Sequence, residues 1–227
     1  MSLIANYAFN STDYNSGSGT TIYDQSGNGY NLTKINSGGS WSTADPFNDS
    51  NIYSFRFNGS QHFERSVPYY SGDFAIAFWF RPEGSTMVKH ESIIAFADTN
   101  NEDTLQIGTP NAGNLIQVQC NRTPRLYAIA NYSGYGSSGN WNHVAVTFNN
   151  SSATLKVYFN GSLTNTYDRT TSPPTTHTTA GRDMYFYIDR IKIGSNRQEN
   201  NRFRGWVSML GVYDEELSAS DFDIGLT

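Results

Sequence analysis

The alternation of apolar and polar residues is clearest between Trp141 and Thr166, in WNHVAVTFNNSSATLKVYFNGSLTNT. Val144, Val146 and Phe148 alternate with His143, Ala145 and Thr147, the two-residue period of a half-buried strand. Residues 149–152 break the pattern, and Leu155, Val157 and Phe159 resume it. Asn160-Gly161 then supplies the positive φ angles that a type I′ hairpin turn requires, so residues 162–166 return as a partner strand. The stretch predicts an antiparallel meander with one apolar face, and that face needs a second layer to cover it.

The same reading extends along the chain. Residues 3–9 predict a first strand, residues 11–19 a polar loop, and residues 24–29 a turn. Residues 31–35, 52–57 and 62–67 predict strands, the last two joined as a hairpin by Asn58-Gly59, with residues 37–51 a loop that carries Trp41. Residues 74–80, FAIAFWF, are apolar throughout, as expected of a central strand covered on both faces. Short strands are predicted at 92–97, 104–107, 115–120 and 125–130, a long surface loop at 170–181, and closing strands at 185–193 and 205–213. Ser218 followed by Asp221 marks a terminal helical turn. The pattern as a whole predicts an all-β chain, a two-sheet antiparallel jelly-roll sandwich formed as one domain over residues 1–227.

Composition narrows the function. Aromatic residues make up 15% of the 227 positions and charged residues only 15%, which suits pleated, half-buried surfaces joined by polar turns. A net charge of −5 with no basic run argues against nucleic acid as a partner. The seven apolar residues at 74–80 are too few to span a bilayer, so membrane insertion is not expected. Residues 1–30 show no charged segment followed by an apolar one, and no secretory signal is read there. Cys120 is the single cysteine, which leaves stability to burial rather than to disulfides and makes a buried thiol the expectation.

Several segments together resemble the laminin G-like branch of the concanavalin A-like lectin/glucanase superfamily. They are Trp-x-His-Val-Ala-Val-Thr-Phe from Trp141, Lys-Val-Tyr-Phe-Asn-Gly from Lys156, Asp24-Gln-Ser-Gly-Asn-Gly29, the run Phe74 to Phe80, and Phe203-Arg-Gly-Trp206 leading into Leu217-Ser-Ala-Ser-Asp-Phe222. The resemblance covers nearly the whole chain and implies the sandwich fold. It also implies a calcium ion joining the early turn to a late acidic strand, with Asp24 and Asn28 as the metal residues. Here the chain departs from the family: Ser208 stands where an Asp is usual, and Met209 where another acid is. By the same resemblance His143 is a structural strand residue rather than a general base.

Candidate catalytic chemistry is sparse, and no catalytic residue is assigned. The chain lacks the Glu-x-Asp-x-x-Glu strand of related glucanases and the Gly-x-Ser-x-Gly elbow of hydrolases. Gly134 to Gly139 matches a dinucleotide fingerprint by letter, but runs into a strand instead of opening a helix. Sugar recognition needs aromatic faces flanked by hydrogen-bonding side chains, and loops offer Trp41, Tyr69, Tyr70, Tyr132, Tyr135 and Arg197. The expected function is a non-catalytic, lectin-like module binding a glycan or polysaccharide, extracellularly or on a virion surface. Two alternatives are kept: a virion or tail component whose sandwich packs as a homo-oligomer, and a polysaccharide hydrolase or lyase without recognised motifs.

Overall fold

The computed structural model describes residues 3–84, 91–97, 103–109, 116–120, 126–128, 139–152, 154–167, 188–196 and 202–222. Among them the chain forms β1 (Leu3–Tyr7), β2 (Thr21–Ile22), β3 (Leu32–Ile35), β4 (Ser40–Ser42), β5 (Ser54–Asn58), β6 (His62–Tyr70), β7 (Phe74–Pro82) and β8 (Ser92–Ala97). These are followed by β9 (Asp103–Gly108), β10 (Gln117–Cys120), β11 (Leu126–Ala128), β12 (Asn142–Asn149), β13 (Thr154–Phe159), β14 (Ser162–Tyr167), β15 (Ile188–Ile193) and β16 (Arg204–Tyr213). They pair into two 8-stranded antiparallel sheets. One runs β14-β13-β12-β7-β16-β5-β4 with β1 also on β16, and the other runs β11-β10-β9-β8-β15-β6-β3-β2.

Strand β7 sits at the centre of the first sheet, between β12 and β16. Its residues Phe74, Ile76, Phe78 and Phe80 point into the space between the sheets, where they meet Phe96, Leu105, Ile191 and Ile193 of the other layer in one continuous core. Each such side chain contributes about 1.5–3 kcal/mol by leaving water. The alternate residues Ala75 and Ala77 lie on the outer face, where they form a second apolar cluster with Ala145, Tyr158, Leu217 and Phe222. That is why β7 reads as apolar throughout: its outer face is capped by the short helical turn Ala219–Phe222, which Asp221 holds by accepting from the Ser218 backbone at 2.7 Å.

Two repetitions of the Asn-Gly signal resolve differently. At Asn160-Gly161 both residues have positive φ, 47° and 77°, and β13 pairs with β14 as a hairpin. At Asn58-Gly59 only the glycine is positive, at 84°, and the expected hairpin does not form, because β5 belongs to one sheet and β6 to the other. The turn instead carries the chain across the sandwich. Edge-on packing of Phe55 on Phe63, with ring centroids 4.9 Å apart, and of Phe57 on Phe63 at 6.2 Å joins the layers there.

The polar stretch after β1 is also not the open loop expected. Asn10 caps a helical turn, α1 (Ser11–Tyr14), by accepting from Thr12 and Asp13, while the Asp13 carboxylate accepts from the Asn10 backbone in a reciprocal capping box. The long loop anticipated at 170–181, the glycine-rich residues 134–138 and the Cys120 side chain lie outside the described residues.

Candidate functional site

The outer face of the first sheet changes character toward one end of β7. Continuing the parity of Ala75, Ala77 and Trp79, the next outward residue is Arg81. It is half-buried, in register with Trp206 on β16 and opposite Trp141, the residue that precedes β12. Trp206 is in turn opposite Arg56 on β5. One residue from each of four adjacent strands or strand starts thus lies in a line across the sheet: Trp141, Arg81, Trp206, Arg56. Glu83, just past the end of β7, with Arg204 on β16 and Asn58 on β5, occupies the next outward position of the row.

The geometry of this row is that of stacked cations and indoles. The Arg81 guanidinium carbon lies 4.0 Å from the Trp206 ring centroid and 5.3 Å from that of Trp141. Arg56 lies 5.6 Å from Trp206 and forms an ion pair with Glu83. Contacts of this kind contribute about 0.5–2 kcal/mol each. Arg81 differs from Arg56 in having no hydrogen bond or ion pair among the described residues, and its Nε is buried. Burial lowers the Arg81 pKa from its ordinary value, although an arginine remains cationic throughout the working range.

A second polar cluster lies on the other sheet. Lys192 on β15 is buried and donates to Glu64 on β6 at 3.0 Å, while the buried His62 ring reaches Glu64 at 3.4 Å. The hydrogen bond from His62, helped by Lys192 against the opposing effect of burial, pulls Glu64 down to about 2. A carboxylate held ionised in this way is suited to neutralising a cation and unsuited to donating a proton at neutral pH.

The residues singled out from sequence fall in several places. Trp41 is a correction: it lies in β4 rather than on a loop, is only 9% exposed, and donates its indole N–H to the Gly19 carbonyl at 2.8 Å. Its ring packs edge-on against Phe9 and Phe55, so its faces serve the core. Tyr70 is half-buried at the end of β6, and its hydroxyl donates to the carbonyls of Asp73 and Asp214. Its neighbour Tyr69 is 62% exposed. Tyr132, Tyr135 and Arg197 lie outside the described residues.

Asp24 shapes its own turn. One carboxylate oxygen accepts from the backbone of Asn6 and Ser26, both at 2.9 Å; the other accepts from the Tyr30 backbone at 3.0 Å and the Ser26 hydroxyl at 2.8 Å. Burial works to raise its pKa, and these donors outweigh it, leaving Asp24 below the usual carboxylate range. Asn28 turns its amide N–H groups to the carbonyls of Leu3 and Ile4. Ser208, where the resemblance led to an expected Asp, donates its hydroxyl to the Tyr53 carbonyl at 2.7 Å. Among the described residues no three His, Cys, Asp or Glu side chains gather as a metal cage. With Asp24 already saturated by donors, this turn does not fit a calcium ion without giving up hydrogen bonds that shape it.

A family model described as the concanavalin A-like lectin/glucanases superfamily matches residues 57–222. The chain belongs to this family. Solved structures with the same concanavalin A-like fold share little sequence with it. Domain 4 of AbnA, a GH43 extracellular arabinanase from Geobacillus stearothermophilus in complex with arabinotriose, superposes with a TM-score of 0.66 at 18% identity, covering 97% of this chain and 96% of that one. The binding domain of botulinum neurotoxin DC in complex with SialylT gives 0.65 at 17% identity, covering 99% of this chain and 51% of that one. Botulinum neurotoxin type C, which depends on interaction with two ganglioside molecules to enter cells, gives 0.65 at 18%, with 99% and 50% covered. This concanavalin A-like chain thus spans about half the length of the toxin structures it matches. No curated protein sequence matches it. Among its described residues no helix is long and apolar enough to cross a membrane.

Sequence reasoning missed the row itself. Arg81 lies just past the apolar run of residues 74–80 and carries no signal of its own there, while Trp206 enters only as part of a family motif and Trp141 only as the start of the alternating stretch. The available signal was strand parity. Arg81 falls two residues after Trp79 and four after Ala77, so it shares their outward face.

Proposed function

We propose that this concanavalin A-like domain is a non-catalytic recognition module that binds carbohydrate, acting outside the cell or on a particle surface. The observation that carries the reading is the line of Trp141, Arg81, Trp206 and Arg56 across the outer face of the first sheet. Sugars present apolar C–H faces and a ring of hydroxyls. A row that alternates half-exposed indoles with guanidinium donors offers a surface for each. The support from relatives is of the same kind: arabinotriose accompanies one structure of this fold, and gangliosides interact with another. Placement on strands gives such a site a rigid floor, with cross-strand register setting the spacing of its side chains.

The test is a glycan array followed by calorimetry on the hits, with the wild-type chain and the single variants Trp206→Ala and Trp141→Ala. The expected result is binding to at least one class of glycan, weakened by about tenfold or more in each variant, as loss of an aromatic contact together with its buried area would produce. Absence of binding across the array, or binding unchanged in both variants, would overturn the proposal.

A further inference from the structure

The arginines on this face are not equivalent, and the difference bears on the kind of sugar recognised. Arg56 has its counter-charge in Glu83. Arg81, one strand further along the row, has two indoles and no acceptor among the described residues, with its Nε buried. A guanidinium partly withdrawn from water and left without an acceptor carries an uncompensated cost, which an incoming anion relieves. The local balance has the same sign: Arg56, Arg81 and Arg204 stand against Glu83 alone at these outward positions, on a chain whose net charge is −5.

Resting on the carbohydrate reading above, we infer that the glycan bound here is acidic, and that its carboxylate pairs with the Arg81 guanidinium while the sugar ring lies against Trp141 or Trp206. The two indole contacts restrict where the guanidinium can lie, and its planar fork of N–H donors matches the two oxygens of a carboxylate. The neighbouring Arg56–Glu83 pair shows the same chemistry already satisfied within the chain. Glu83 also sets a limit. A carboxylate at the border of the face repels a long polyphosphate backbone, whereas a single uronate or sialate carboxylate can seat on Arg81 beyond it.

The experiment uses matched pairs that differ only in charge: sialyllactose against lactose, and oligogalacturonate against its methyl ester. Dextran sulfate and a single-stranded oligonucleotide serve as anions that carry no carboxylate. Binding of the full chain is measured by calorimetry at physiological salt. The expected result is that the acidic member of at least one pair binds about tenfold tighter than its neutral partner, the size of one charge-assisted hydrogen bond. Arg81→Gln should erase that preference while leaving residual neutral binding, and Arg81→Lys should restore only part of it. Comparing ester with acid on the wild-type chain needs no variant, so a poorly folded substitution does not void the test. Equal binding of acidic and neutral partners, or a preference that survives Arg81→Gln, overturns this inference and leaves carbohydrate binding standing. Tighter binding of dextran sulfate or the oligonucleotide overturns it in favour of a general anion site. No binding by either member of any pair overturns this inference, and the array alone decides whether the carbohydrate reading falls with it.

Discussion

Acid should destabilise this domain through one buried imidazole. His143 on β12 is 1% exposed, packed against Trp79 at 5.0 Å and Phe222 at 6.5 Å, and among the described residues neither ring nitrogen has a hydrogen-bond partner. It borders a cavity of about 30 Å³ lined also by Asn6, Trp79, Met209, Gly211 and Tyr213, none of them an acid that could stabilise an imidazolium. Burial pushes His143 down from 6.5 to about 4. A depressed histidine stabilises the fold fully above the unfolded value near 6.5, and that stability is lost as pH falls toward the folded value near 4, because the unfolded chain binds the proton first. A gap of roughly 2.5 units at 1.36 kcal/mol per unit amounts to about 3 kcal/mol. Urea unfolding followed by tryptophan fluorescence at pH 7, 6, 5 and 4, on the wild type and on His143→Gln, isolates this contribution. Other titrating groups, Glu64 and Asp24 among them, are common to both chains and cancel in the difference. The expected outcome is a wild-type stability that falls about 3 kcal/mol further than the variant's between pH 7 and pH 4. Parallel profiles would refute the reasoning, and would mean that His143 is hydrated in the folded state.

Two other outcomes follow from the geometry. Glu64→Gln removes the carboxylate facing the buried Lys192, and should cost about 2–3 kcal/mol in urea unfolding at pH 7, less than for a fully enclosed pair because Glu64 is 28% exposed; a change under 0.5 kcal/mol would show that the lysine finds its compensation elsewhere. Melting temperature should be the same in millimolar calcium and in chelator, since the lone pairs of Asp24 are committed to four donors. A rise with calcium would establish a site that forms at the cost of those bonds.

Much of the architecture was legible because it rests on short-range rules. The meander through β12, β13 and β14 follows from alternation and from a turn in which both residues take positive φ. The terminal helical turn follows from a serine three residues before an acid. What could not be read were features set by contacts distant in sequence. Asn58-Gly59 carries the same letters as Asn160-Gly161, but the next strand lies in the opposite layer, where Phe63 packs edge-on against Phe55 and Phe57. Trp41 sits among polar and glycine residues that signal a loop, yet pairing of β4 with β5 draws it into the core. The row of tryptophans and arginines was hidden for a related reason. Arg81, Trp206, Trp141 and Arg56 lie far apart in the chain, and only the registers of β12, β7, β16 and β5 bring them into line.

Strand β16 slips its register against β7 between Ser208 and Leu210, where Met209 adopts a φ of 48°. The strand therefore has one residue more than its neighbour can match, and this surplus falls where β16 exchanges one flanking partner, β5, for another, β1. On either side of it the inward residues Val207 and Leu210 still reach the core, so the layers lose nothing by it. Met209 and Leu210 line the small hollow beside His143 and Trp79. A relative without that residue could zip β16 evenly along β7, closing the hollow while keeping both sheets and the tryptophan row where they are.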